Sequence, residues 1–387
     1  MEEKIFLRNY IMSYDKIMNM LYTLLCTNKR KLEKRCIGKT TFNYSIDCYK
    51  IGKGNNHVLL YGTTHGCELV STYFILEMLI SLLKLEQESK IIKDYTFHLT
   101  PILNPEGYII SSSNVLANIS TNSLNNIEEI ERISSKYLEV YNRDDEIVLS
   151  GKKVPKNFYG ILKSSIFYIK DSKLARSVFN ILKNCNLNES VLPVWSANGV
   201  GVDPNSNSIN CFKEIVELRR KQKFAALRYN DIPVTKPSPM SYPGVGTFCN
   251  CPENYVLYNY IKGLYSMNYN KLNEDKLVAI FSYHSTGGEI YGFPTEKCMD
   301  SKKEELYKCG MDKYKEATGY KIIFPETKYG VMDFYRDSLD NVLALTIELS
   351  KLNANPIGPF SDIEELNKEI INNKNAIVNT LNLISNK

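Results

Sequence analysis

Four residues of this chain have the types and placement to do chemistry on a polar bond: His65, Glu68, His284 and Glu348. His65 and Glu68 stand three positions apart in residues 57–68, HVLLYGTTHGCE. Positions i and i+3 share one face of a helical turn, so an imidazole and a carboxylate held there can ligate one divalent ion, typically zinc. A His followed by such a Glu is common by chance, and the setting is what gives the pair meaning. Val58, Leu59, Leu60 and Tyr61 form an apolar run that Gly62 and Gly66 break, which reads as a central strand ending in a loop. Leu69, Val70, Tyr73, Phe74, Ile75, Met78 and Leu79 then recur at helical spacing, so Glu68 opens a helix.

Three more segments read as buried strands: residues 95–103, 276–283 and 342–347. They deliver Asn104, His284 and Glu348 at or just past their ends. Ligands of open α/β sheets bind in the crevice beyond the carboxyl ends of the strands. Two His and one Glu, with a fourth position left for water, make a catalytic rather than a closed structural zinc set. A further Glu nearby would take the proton of that water. The chain has only four His; His57, at a strand start, and His98, within a strand, are expected to be structural.

The elements that must position these groups fill a chain of 387 residues, long enough for one large α/β domain or two smaller ones. A formal net charge of +5 is spread over many Lys, Glu and Asp residues. The densest basic block, Lys29-Arg30-Lys31, reads as a solvated helix face, so no nucleic-acid partner is expected. The amino terminus carries both signs of charge, unlike a secretory signal, and residues 74–85 are too few for a membrane span and carry Glu77. Ten cysteines without paired CxxC spacing predict reduced thiols in a cytoplasmic protein. Residues 1–35 have the period of a leading amphipathic helix, and strands are expected at 41–46 and 48–51. Residues 112–194 are polar, with helical patterns near 127–141 and 175–182, and read as a helical insertion within the domain. A basic helix is expected at 211–227, and others from about 252, at 304–318 and at the tail behind the Ser361-Asp362-Ile363-Glu364 capping box.

Ordered along the chain, several short stretches resemble the zinc carboxypeptidase family, most closely its bacterial branch that cleaves γ-D-glutamyl-diamino acid bonds in cell-wall (peptidoglycan) peptides. Ile37-Gly38-Lys39-Thr40 with residues 49–52 resembles the opening strands, His65-Gly66-Cys67-Glu68 the first metal motif, and Pro101-Ile102-Leu103-Asn104-Pro105-Glu106-Gly107 the loop after the next strand. Trp195-Ser196-Ala197-Asn198 and Gly201-Val202-Asp203-Pro204-Asn205 resemble the substrate loop. Tyr242-Pro243-Gly244 and Pro252-Glu253 resemble the segment before the specificity helix, Tyr283-His284-Ser285 the second metal motif, and Thr346-Ile347-Glu348-Leu349 the catalytic strand. The resemblance implies a single α/β domain over residues 1–387, a mixed, mostly parallel β-sheet flanked by helices. It further implies one zinc ion per chain held by His65, Glu68 and His284, with Glu348 as general base in the hydrolysis of a peptide or amide bond of a small peptide. Asn205 takes the position that contacts the substrate carboxylate, and Tyr329, just before Gly330 and Asp333, is the nearest counterpart of a family tyrosine.

The departures bear on specificity. Where the family continues its substrate loop with an Arg that clamps the terminal carboxylate, this chain has Ser206, whose hydroxyl cannot form a bidentate charged fork. Ser196 and Val200 stand where the bacterial branch has cations, and loss of one oxyanion-stabilising donor costs about 10²–10³ in rate. Arg219, Arg220, Arg228 and Arg336 are candidate substitutes. Without one, no strong preference for a free carboxyl terminus is expected. Two rival functions are a catalytically silent peptide-binding relative, favoured by Ser206, and an acyl-amino-acid deacylase, which shares the metal motif. The presence of Glu348 favours the peptidase.

Overall fold

The computed structural model describes residues 12–120, 146–149, 152–155, 169–209, 212–222, 232–269, 274–293, 301–324, 330–349 and 363–385. Helix α1 (Tyr14–Thr27) leads into the hairpin β1 (Leu32–Lys39) and β2 (Ser45–Gly52). Then come β3 (Asn56–Gly62), α2 (Leu69–Lys84), the short α3 (Lys90–Asp94), β4 (Tyr95–Thr100) and α4 (Pro105–Ser120). A small hairpin, β5 (Glu146–Leu149) and β6 (Lys152–Pro155), precedes α5 (Ser172–Cys185), α6 (Phe212–Gln222) and α7 (Pro252–Ser266). The chain closes with β7 (Lys276–Ser285), β8 (Glu289–Tyr291), α8 (Ser301–Thr318), β9 (Lys321–Ile323), α9 (Val331–Ser338), β10 (Leu343–Leu349) and α10 (Ile363–Ser385).

Eight strands form one sheet in the order β1-β2-β4-β3-β7-β10-β8-β9. Its centre, β4, β3, β7 and β10, is parallel, and β2 and β8 flank it antiparallel. This is the mixed, mostly parallel α/β sheet expected from the sequence. Parallel strands buried on both faces need apolar side chains at odd and even positions alike, and β3 supplies them. Val58 and Leu60 join the core under α2, α8 and α10, while Leu59 and Tyr61 join the one under α7 and α9. Each such side chain contributes about 1.5–3 kcal/mol by leaving water.

Three expectations need correction. The leading helix stops at Thr27, where the Asn28 N–H donates to the Leu24 carbonyl at 3.0 Å, and residues 1–11 lie outside the described residues. Lys29–Lys31 therefore lie in a turn rather than on a helix face, with Lys31 Nζ donating to the Leu83 and Leu85 carbonyls at 3.1 and 3.0 Å. The first strand is residues 32–39 rather than 41–46: β1 is a sheet edge whose exposed Glu33, Lys34 and Arg35 imitate a polar helix face, and residues 40–44 make its turn. The described part of residues 112–194 contains the β5–β6 hairpin as well as helix; the pattern near 127–141 lies outside the described residues.

Helix α5 starts on Asp171, whose Oδ1 accepts from the Lys173 and Leu174 N–H groups at 2.8 and 3.0 Å. Its apolar face, Leu174, Val178, Ile181 and Leu182, packs with Ile110, Trp195, Ile232 and Val234 as a separate core. That core carries the loop that leads from Trp195 to Asp203.

On the α7 side of the sheet, His57 Nδ1 lies 2.8 Å from His98 Nε2, and His98 Nδ1 lies 2.7 Å from the Tyr260 hydroxyl. Burial, the His57 ring and the Lys50 and Arg35 cations push His98 down to about 3; burial also lowers His57, against the pull of Asp275. An unfolded His takes up its proton near 6.5, so between there and the folded value the unfolded chain binds more protons and stability is lost as pH drops. From pH 7 to 5, His98 alone is expected to remove about 2 kcal/mol. Urea unfolding at the two pH values should show a clearly smaller drop for His98→Gln than for the wild type; equal drops would place the pH dependence elsewhere.

Candidate metal centre

Each strand-end residue reaches the site for a local reason. After β3, the loop is locked by Thr63 N–H donating to Ser71 Oγ at 2.8 Å and by Ser71 Oγ donating to the Glu68 carbonyl at 2.6 Å. Gly66 lies so close to the next loop that a Cβ would meet the Gly107 backbone at 2.4 Å. Asn104, fully buried after β4, ties three loops together. Its Nδ2 donates to the Thr64 and Ala197 carbonyls at 3.2 and 3.1 Å, and its Oδ1 accepts from Gly107 N–H at 2.9 Å. Glu106 completes the tie, accepting from Phe42 N–H at 2.7 Å and Gly199 N–H at 2.9 Å.

His65, Glu68 and His284 converge: one ligand atom from each lies within 4.8 Å of the others. His65 Nδ1 faces Glu68 Oε1 at 2.7 Å, and His284 Nδ1 faces Glu68 Oε2 at 2.8 Å. The second pair is close without hydrogen-bond geometry, so Glu68 Oε2 and His284 Nδ1 are buried polar atoms with no hydrogen-bond partner. Leaving two such atoms unsatisfied costs about 1–3 kcal/mol each, and a cation between their lone pairs removes that cost. The donor set of two imidazoles and a carboxylate suits zinc, so the residues present fit the ion.

Electrostatics mark the same point. The two imidazoles hold Glu68 low, against burial, which would raise it. Glu68 and Asp203 raise His65 well above its ordinary value although burial works against them. His65 Nε2 stands 3.4 Å from Asp203 Oδ1, and a carboxylate behind a ligating imidazole fixes its ring and raises its basicity. Asp203 is held in turn by the Asn205 N–H at 2.9 Å, the Ser206 hydroxyl at 3.0 Å and the Ser241 N–H at 3.0 Å.

Glu348 pairs in register with His284 on the neighbouring parallel strand and with Glu289 on the antiparallel side. Burial and the Glu68 and Glu289 carboxylates push its carboxyl well above the usual range. Glu289 accepts from the Tyr291 hydroxyl at 2.6 Å. Sequence reasoning missed Glu289, although Gly287-Gly288 signals a turn back toward β10. It also left Asp203 without a role.

The other expected site residues divide. Asn205 Oδ1 accepts from Val331 N–H at 3.2 Å, which leaves its amide NH₂ as the donor it can offer a substrate. Ser206 is buried, with its hydroxyl donating to Asp203, the carboxylate that faces His65. Tyr329 lies outside the described residues, as does Arg228. Arg336 is buried and structural, donating to Asp333, Thr346 Oγ1 and the Tyr291 and Ala344 carbonyls. Arg220 is exposed, whereas Arg219 on α6 brings Nη2 to 3.5 Å from Ser206 Oγ.

Fold and site together describe an α/β protein with a metal-type cluster at the carboxyl ends of its parallel strands. Residues 17–165, less than half of the chain, match the family model for zinc carboxypeptidases. That match contains His65, Glu68 and Asn104 but ends before Asp203, His284 and Glu348. A search of curated proteins found no match. Among solved structures, the chain is similar to thrombin-activatable fibrinolysis inhibitor, at 14% identity over 100% of this chain and 80% of that one, with a TM-score of 0.60. It is also similar to the carboxypeptidase A of Helicoverpa armigera, at 13% identity over 97% and 74% of the two chains, with a TM-score of 0.56. The bovine fibrinolysis inhibitor, solved with a tick carboxypeptidase inhibitor, aligns at 13% identity over 98% of both chains, with a TM-score of 0.55. At these identities the likeness establishes the carboxypeptidase-like fold. Among the described residues no helix is long and apolar enough to cross a membrane.

The loop tie is testable by itself. Asn104→Ala strands two buried carbonyls and one N–H, so unfolding free energy should fall by about 2–4 kcal/mol in a urea titration. A loss below about 1 kcal/mol would show that the loops hold without it.

Proposed function

We propose that the protein is a zinc-dependent peptidase of the carboxypeptidase type that hydrolyses a peptide bond in small peptides. The observation that carries this reading is the convergence of His65, Glu68 and His284 with two orphaned buried polar atoms, one strand away from Glu348. These three residues would hold one zinc ion, which supplies polarisation of the scissile carbonyl and a water of pKa near 7. Glu348 takes the proton of the attacking water and returns it to the leaving amine. Asp203 keeps the His65 ring oriented, and the amide of Asn205 positions the substrate. Cell-wall γ-D-glutamyl peptides are one substrate class consistent with the sequence resemblance and belong in the first substrate screen.

Glu348→Gln preserves shape but cannot accept a proton. Turnover should fall by about 10²–10⁴ while metal analysis still finds one zinc per chain. An unchanged kcat would remove Glu348 from the reaction, and loss of zinc would make it a ligand.

The carboxylate clamp is supplied, on this reading, by Arg219 in place of the side chain missing at position 206. The support is its Nη2 beside Ser206 Oγ and its pull on Asp203. Peptides with a free carboxyl terminus should then be cleaved about tenfold or more faster than their amides. Arg219→Met should abolish that preference, and Ser206→Arg should bring no gain. Equal wild-type rates on acid and amide would rule out the clamp while leaving peptide hydrolysis intact.

A further inference from the structure

A second recess lies at the other end of β3. That strand runs from Asn56, next to His57, to Gly62, on the way to His65, and six steps of about 3.3 Å set its ends roughly 20 Å apart. The recess has a volume of about 580 Å³ and opens between the β1–β2 edge and α7, within the range of about 300–1,000 Å³ typical of small-molecule sites.

Its inner wall is a connected polar chain. One set of donors satisfies every link: the Cys48 thiol donates to the Tyr260 oxygen at 3.3 Å, and the Tyr260 hydroxyl donates to His98 Nδ1 at 2.7 Å. His98 Nε2–H donates to His57 Nδ1 at 2.8 Å, and His57 Nε2–H faces Asp275 at 3.7 Å. Cys48, His57 and His98 are buried, and both imidazoles are neutral in this arrangement.

The mouth is cationic. Arg35 lies over the Tyr260 ring, 6.0 Å from its centre, and has no ion-pair partner among the described residues. Lys50 stands across the β2–β4 pair from His98, and its carboxylate neighbour Glu33 is loose, 3.9 Å away and 75% exposed. Lys34 is committed to Asp47 at 2.7 Å. Two cations thus face a recess whose carboxylates are the exposed Glu33 at its rim and Asp275 at its far end. Neutral imidazoles are the form that such cations tolerate; Arg35 has no ion-pair partner among the described residues, and Lys50 has only the loose Glu33.

We propose that this recess binds a small organic anion, a carboxylate or phosphate monoester, with its charged group between Arg35 and Lys50. Its apolar body lies against Ile37, Val256 and Leu264, which also line the recess. Charge-assisted hydrogen bonds to the two cations provide the affinity, and the volume admits a ring or short chain. This site is separate from the metal centre and does not depend on the proposed hydrolysis.

The test is titration of the full-length protein with phenyl phosphate, benzoate and uncharged benzamide, read by calorimetry and by the ring signals of histidine-labelled protein. With only four His in the chain, those of His57 and His98 can be assigned. Phenyl phosphate or benzoate should bind and move both signals, and the tighter of the two identifies the charged group. Benzamide should not bind. The double variant Arg35→Gln, Lys50→Gln should weaken binding by about tenfold or more. Lys53→Gln, a nearby cation outside the recess, should leave it unchanged, and all variants should keep the wild-type unfolding midpoint. Binding that survives the double variant, that leaves the His57 and His98 signals in place, or that benzamide matches, overturns the proposal.

Discussion

Glu68 is one carboxylate buried between two imidazoles, and the rest of the site is arranged around that placement. A buried charge is tolerated only when compensated on all sides; here His65 faces one oxygen at 2.7 Å, while the other meets His284 Nδ1 without a hydrogen bond and is where a cation would complete the set. The two rings reach it because β3 and β7 are parallel neighbours, so their carboxyl ends open on the same side of the sheet. Glu348 arrives by the same rule one strand further along. Parallel pairing therefore does more than build a core. It brings residues more than two hundred positions apart in sequence to one point without any local signal linking them.

Strand direction alone would leave the loops beyond the strand ends free to wander, and buried polar groups fix them. Asn104 joins the loops after β3 and β4 to the Trp195–Asn198 loop, and Glu106 secures the same loop through Gly199. Asn198 adds a further link, donating to Glu253 at 3.1 Å, and burial with the nearby Glu106 pushes the Glu253 carboxyl up to about 8. A buried network of this kind specifies one geometry, because any rearrangement strands several groups at once.

The parts of this arrangement that were legible in the sequence are those written along one dimension. A buried strand followed by a chemically capable residue is visible as an apolar run with a His, Asn or Glu after it, which is how His65, Asn104, His284 and Glu348 stood out. Glu289 did not, because its importance comes from lying across the sheet from Glu348. Arg219 could be named but not chosen from among four arginines; only the path of α6 brings it beside Ser206, thirteen residues earlier. The first strand was misread for a different reason. A charged edge strand has no buried face to impose alternation, so its pattern is as compatible with a helix as with a sheet.

The small core under α5 has a consequence for how this protein can be altered. The loop that carries Asp203 rests on Val178, Ile181 and Leu182 through Trp195, while His65, Glu68 and His284 stand beside the large sheet core. The two foundations are different sets of residues. Changing volume beneath the loop therefore shifts Asp203, and with it the support behind the His65 ring, while Glu68 and His284 keep their own footing. In engineering terms the protein has a tuning screw: the setting of the His65 ring can be adjusted from below, through apolar residues that lie outside the cluster.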